Sequence, residues 1–115
     1  MTAQIHLVLD VSDLDRMADF YCAALGYQPY GAVAQYRSIT PPAGESGPKL
    51  VLQRVDEPKT VKNRLHLDLK SDDIEQEAGR LESLGAARMQ RFDEFGDAWI
   101  LMTDPEGNEI CVCQG

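Results

Sequence analysis

The sequence predicts an α+β fold built from two βαβββ modules, their strands forming a curled mixed sheet around a cavity. Three observations carry that expectation. A strand-like segment containing a histidine occurs twice, an amphipathic helix pattern follows each copy, and a glycine stands just beyond each helix.

The repeat begins with Ile5-His6-Leu7-Val8-Leu9-Asp10, which returns as Leu65-His66-Leu67-Asp68-Leu69-Lys70. Its two histidines are sixty positions apart. Apolar residues alternate with others in both copies, the period of a strand. Ile5, Leu7 and Leu9 then share one face, as do Leu65, Leu67 and Leu69. His6, Val8 and Asp10 share the other face with their counterparts His66, Asp68 and Lys70.

Helix starts follow. Ser12 precedes Asp15 by three residues and Asp72 precedes Glu75 by three, placing side-chain acceptors where the first helical N–H groups lack partners. Leu14, Met17, Ala18, Tyr21 and Leu25 form one apolar stripe, and Ile74, Ala78, Leu81 and Leu84 the other. Gly26 and Gly85 occupy the position after the helix where a left-handed backbone is common.

Short extended runs complete each module: 28–33, 36–39 and 49–55 in the first, then 87–92, 99–102 and 108–113 in the second. Between the second and third of the first set, Pro41 to Pro48 has the composition of a loop. Asp104-Pro105-Glu106-Gly107 reads as a tight turn between paired strands. The polar stretch Asp56 to Arg64, with Pro58, separates module 1 (about 1–57) from module 2 (about 63–115) within one domain. Helices on the apolar side of the sheet leave a second face carrying His, Asp and Gln, which suits a cavity wall.

At 115 residues the chain is long enough for one domain-sized core. Nineteen acidic against eleven basic residues give a net charge of −8, which disfavours nucleic acid and anionic membranes as partners. Acidic residues from Asp10 onward interrupt any signal-like apolar run, and no apolar stretch is long enough to span a bilayer. Three cysteines without a CxxC spacing indicate neither a disulfide framework nor a zinc finger, so a cytoplasmic location is expected.

This arrangement resembles the vicinal oxygen chelate superfamily, the glyoxalase, bleomycin-resistance and extradiol-dioxygenase relatives. Its most specific pieces are Lys62-Asn63-Arg64-Leu65-His66-Leu67-Asp68-Leu69, Leu81-Glu82-Ser83-Leu84-Gly85-Ala86 and Asp104-Pro105-Glu106-Gly107-Asn108-Glu109-Ile110-Cys111. Together they look like small bacterial glyoxalase-like proteins. The resemblance implies a small-molecule substrate or ligand, a homodimer, and a divalent metal (Zn, Ni, Fe or Mn) held from the first and last strand of each module. The matching positions are His6, Gln53, His66 and Cys111. Relatives that depend on a metal usually carry Glu where Gln53 and Cys111 stand, so two of the four ligands depart from the pattern.

A thiolate favours zinc, whereas a hard octahedral ion wants carboxylate oxygen. Glu109, on the face of Cys111, is a candidate catalytic base or ligand, and Tyr36 and Trp99 are candidates for the substrate pocket. Asp10 and Asp68 share the histidine face and could orient the imidazoles. The implied function is a metal-dependent lyase, isomerase or dioxygenase. The alternative is a binding protein of the bleomycin-resistance type, which sequesters a small molecule without turnover.

Overall fold

A computed structural model describes residues 1–115. The chain divides into two compact units, Met1–Pro58 and Lys59–Gly115. In the first, β1 (Leu7–Val11), α1 (Leu14–Leu25), β2 (Gln28–Val33), β3 (Tyr36–Thr40) and β4 (Leu50–Arg54) follow in order. In the second, β5 (Leu67–Ser71), α2 (Ile74–Ser83), β6 (Ala87–Glu94), β7 (Asp97–Thr103) and β8 (Glu109–Gln114) repeat the plan.

Each unit forms an open four-stranded sheet, ordered β1-β4-β3-β2 in one and β5-β8-β7-β6 in the other. The first strand runs parallel to the last, and the remaining pairings are antiparallel. Two mixed sheets, each with one helix, are the expected βαβββ repeat.

Alternation along the strands sorts the two sheet faces. Leu50 and Leu52 of β4 are buried, as are Ala98, Ile100 and Met102 of β7. In α1 the buried stripe is Met17, Phe20, Tyr21 and Ala24; in α2 it is Ile74, Ala78 and Leu81. Each fully buried aliphatic side chain stabilises the fold by about 1.5–3 kcal/mol. Phe20 meets Tyr21 edge to face at 5.0 Å, filling the first unit's core with two rings.

The helix caps fall one residue later than the sequence pattern suggests. Asp13 accepts from the Arg16 amide at 3.2 Å and Asp73 from that of Gln76 at 3.0 Å. Their carboxylates meet the third helical N–H, which Ser12 and Asp72 leave to them. Gly26 closes α1 with φ of 70°, and its N–H reaches the Cys22 carbonyl. The histidine-bearing strands also start late, since ladder pairing begins at Leu7 and Leu67. His6 and His66 therefore stand at the mouths of their sheets. No helix is long and apolar enough to cross a membrane.

Candidate functional site

Each sheet has one face under its helix and one face free of it, and the strand register says which side chains share that second face. In the second unit Asp68 pairs with Cys111, which pairs with Leu101. Lys70, Cys113 and Trp99 form the next row. Before the ladder's first pair, His66 falls beside Glu109, whose other neighbour is Thr103. Pleating turns the side chains of all three rows to one side.

That arrangement brings His66, Asp68 and Cys111 together. One ligating atom from each lies within 4.8 Å of the others. His66 Nε2 is 3.2 Å from Asp68 Oδ1, and both side chains are about half exposed, at 42% and 48%. Cys111 is buried beneath them. Burial, and then the negative charge of Asp68, push the Cys111 thiol up to about 11. Cys113 is raised by the same two causes in the same order.

The three donors fit a divalent ion. Bond lengths of about 2.0–2.3 Å place neighbouring ligand atoms about 3–4 Å apart. The His66–Asp68 distance already meets that spacing, and two half-exposed side chains can close the remainder. An imidazole, a carboxylate and a thiol that must lose its proton make a zinc-like set with room for further ligands.

Glu109 is engaged elsewhere. Its carboxylate accepts the Asn63 amide at 3.1 and 3.4 Å, with Lys59 Nζ at 3.5 Å and Lys62 Nζ at 3.8 Å. Burial alone would raise this carboxyl, but the Asn63 amide and the two ammonium groups outweigh it, leaving the pKa lowered. An anion so held is a poor proton acceptor near neutral pH.

The first unit carries no equivalent cluster. Two residues after His6 stands Val8, paired with Val51, so Val51 occupies the place that Cys111 takes in the second unit. Gln53 lies one row further, between Asp10 and Tyr36, and is the counterpart of Cys113. The sequence offset from Gln53 to Cys111 is two short of the histidine offset, and the ladder shows why. His6 instead borders a depression of about 640 Å³ with Tyr30, Lys49 and the loop 41–48.

Trp99 stacks on Phe92 with centroids 5.3 Å apart, on the face that carries Cys111. Tyr36 sits beside Gln53 and is 38% exposed. Asp68 stands in this cluster although it is not among the ligand positions expected from sequence. The signal available was His-x-Asp on a strand, which puts both side chains on one face.

The family model for the glyoxalase-like domain matches residues 6–113. The chain belongs to the glyoxalase-like family. Its fold is similar to that of the fosfomycin resistance protein FosX from Listeria monocytogenes, with a TM-score of 0.81 at 13% identity, covering 100% of this chain and 94% of that one. A mutant of FosX has been solved with Mn(II) and 1S,2S-dihydroxypropylphosphonic acid, with a TM-score of 0.81, 12% identity and coverage of 98% and 90%. A glyoxalase-related enzyme from Fulvimarina pelagi matches with a TM-score of 0.74 at 16% identity, covering 99% and 89%. No curated protein matches the sequence. At these identities the structural likeness establishes the glyoxalase-like fold.

Proposed function

We propose that this glyoxalase-like protein is a divalent-metal-dependent enzyme acting on a small molecule, in the lyase, isomerase or dioxygenase range of its superfamily. The observation that carries this reading is the convergence of His66, Asp68 and Cys111 on the helix-free face of the second sheet. The Mn(II) complex of a FosX mutant supports it at the level of the superfamily.

His66, Asp68 and Cys111 would hold the ion, which when bound supplies Lewis acidity to substrate oxygens. His66 Nε2 and Asp68 Oδ1, 3.2 Å apart, would be neighbouring ligand atoms on that ion. Cys111 must give up its thiol proton to become a ligand, and Asp68 opposes that loss until a cation is present. Trp99 and Phe92 add an apolar surface on the same face, on which a substrate body can rest.

Cobalt(II) loading tests the assignment. A near-ultraviolet thiolate-to-metal band should appear in the wild type, disappear in Cys111→Ser and persist in Cys113→Ser. A band that survives Cys111→Ser would place the metal elsewhere.

The second reading is ligand capture without turnover. What favours it is that the thiol at Cys111 is held protonated, so the donor set carries a single anionic group, Asp68, before any cation arrives. A protein that takes up no cobalt yet binds a small molecule would fit this reading.

A further inference from the structure

The two units repeat one plan, yet the rows containing their histidines carry opposite charge. In the second unit the row is His66, Glu109 and Thr103. In the first, the Leu7 amide donates to the Lys49 carbonyl at 2.9 Å, and the register one step before Leu7–Leu50 and Ile39–Leu50 sets His6, Lys49 and Thr40 side by side. Lys49 thus stands where the second unit has Glu109.

The two charges differ in what answers them. Glu109 has two ammonium groups and an amide around it. Lys49 has no carboxylate within 4.0 Å, although the chain holds nineteen acidic residues against eleven basic ones. Its ammonium instead lies 4.3 Å from the centre of the Tyr30 ring. Tyr30 is where the β2–β3 register slips, the extra residue between the pairs of Pro29 and Gly31, and it is 67% exposed. A ring covers one side of an ammonium and leaves N–H donors free on the other.

Lys49 borders concave space. Lys49, His6, Tyr30 and Thr40 border the depression of about 640 Å³, within the usual range for small-molecule sites. The loop that completes it is tied down. Tyr27 donates its hydroxyl hydrogen to the Pro48 carbonyl at 2.8 Å, and the Glu45 amide donates to the Pro42 carbonyl at 3.0 Å. Gly47 fits only because it lacks a side chain, since a Cβ there would sit 2.7 Å from Tyr27 Oη. Pro41, Pro42 and Ile5 make part of the wall apolar, and Glu45 is its single carboxylate.

We infer that this depression binds a small organic oxyanion, a carboxylate or phosphonate with a short apolar body, through the Lys49 ammonium, with Thr40 and His6 as further hydrogen-bonding groups. The site uses residues of the first unit alone, so it stands or falls separately from the metal cluster. The ammonium supplies a charge-assisted hydrogen bond, the hydroxyl and imidazole fix orientation, and the prolines receive the apolar part.

Amide-resolved NMR titration with sodium methylphosphonate and with sodium acetate, at low ionic strength, tests this. Saturable shifts at Tyr30, Thr40 and Lys49 are expected with at least one of them, and which one saturates identifies the head group. Lys49→Met keeps the aliphatic stem but removes the charge, and should weaken binding roughly tenfold or more. Lys49→Arg should restore it, and Lys70→Met should leave it unchanged. Shifts that never saturate with either anion, wild-type affinity in Lys49→Met, or equal weakening by Lys70→Met would overturn the proposal.

Discussion

Asn63 and Glu109 clasp each other through both backbone and side chain. The Asn63 amide donates to the Glu109 carboxylate at 3.1 Å, and the Glu109 amide donates to Asn63 Oδ1 at 3.0 Å. Asn63 Nδ2 continues to Asn108 Oδ1 at 3.2 Å, and Asn108 Nδ2 to Asp104 Oδ2 at 3.0 Å. The clasp fastens the segment leading to His66 onto the strand that carries Cys111.

Breaking the clasp should cost stability. Glu109→Gln is expected to destabilise the protein by about 1–3 kcal/mol at pH 7, because the Asn63 amide and two ammonium groups lose the negative charge of their acceptor and one of its two oxygens is replaced by an NH2 donor. The folded pKa of Glu109 is lowered, so its contribution is present above the unfolded carboxylate value and fades as pH falls through the folded one. Urea denaturation of both proteins at neutral and acid pH would check this. A difference that stays constant across the range would contradict the role of charge.

The Cys111 thiol predicts the direction of a pH effect on metal uptake. With its pKa raised to about 11, binding must displace a proton throughout the neutral range. Affinity should therefore rise about tenfold per pH unit between pH 6.5 and 8.5 from this ligand alone. Competition titrations with zinc would measure the slope, and Cys111→Ser should flatten it by about one proton.

A surface ion cluster ties α2 to β6. Glu75 receives Arg88 at 2.7 Å and Arg91 at 2.8 Å, and these hydrogen bonds hold its carboxyl at about 2. The lowered value means its stabilisation is full above the unfolded pKa and disappears as pH drops toward 2. Glu75→Gln should lower the melting temperature at neutral pH and low salt, with a gap that narrows on acidification and in 1 M salt. A gap indifferent to salt would assign the effect to packing.

Core truncation should separate the sheet's two faces. Ile100 is fully buried on the helix side, so Ile100→Ala is expected to cost about 2–5 kcal/mol. Leu101, its neighbour on the face of Cys111, is only half-buried and should lose less. Chemical denaturation of the two variants would check the order.

Much of this architecture was legible in the sequence, for a physical reason. A duplicated pattern of strand, helix and glycine depends on local periodicity, and Leu7, Leu9, Leu67 and Leu69 obey it, as do the buried Met17, Tyr21, Ala78 and Leu81. Register does not depend on local pattern. Gln53 and Cys111 look equivalent by spacing along the chain, yet the ladder makes Val51 the match, because loop lengths decide where β4 and β8 meet their partners. Asp68 carried a readable sign in its alternation with His66, but which strand would face it was hidden. The opposition of Lys49 and Glu109 emerges only when the rows are laid side by side.

The most direct test of the metal assignment is elemental analysis of untagged protein purified without chelator, beside His66→Ala/Cys111→Ser prepared identically. Near-stoichiometric divalent metal in the wild type, lost in the double variant while the fold persists, is the predicted result. Wild-type protein without metal after exposure to zinc, manganese, nickel and iron, or equal metal in both proteins, would contradict it.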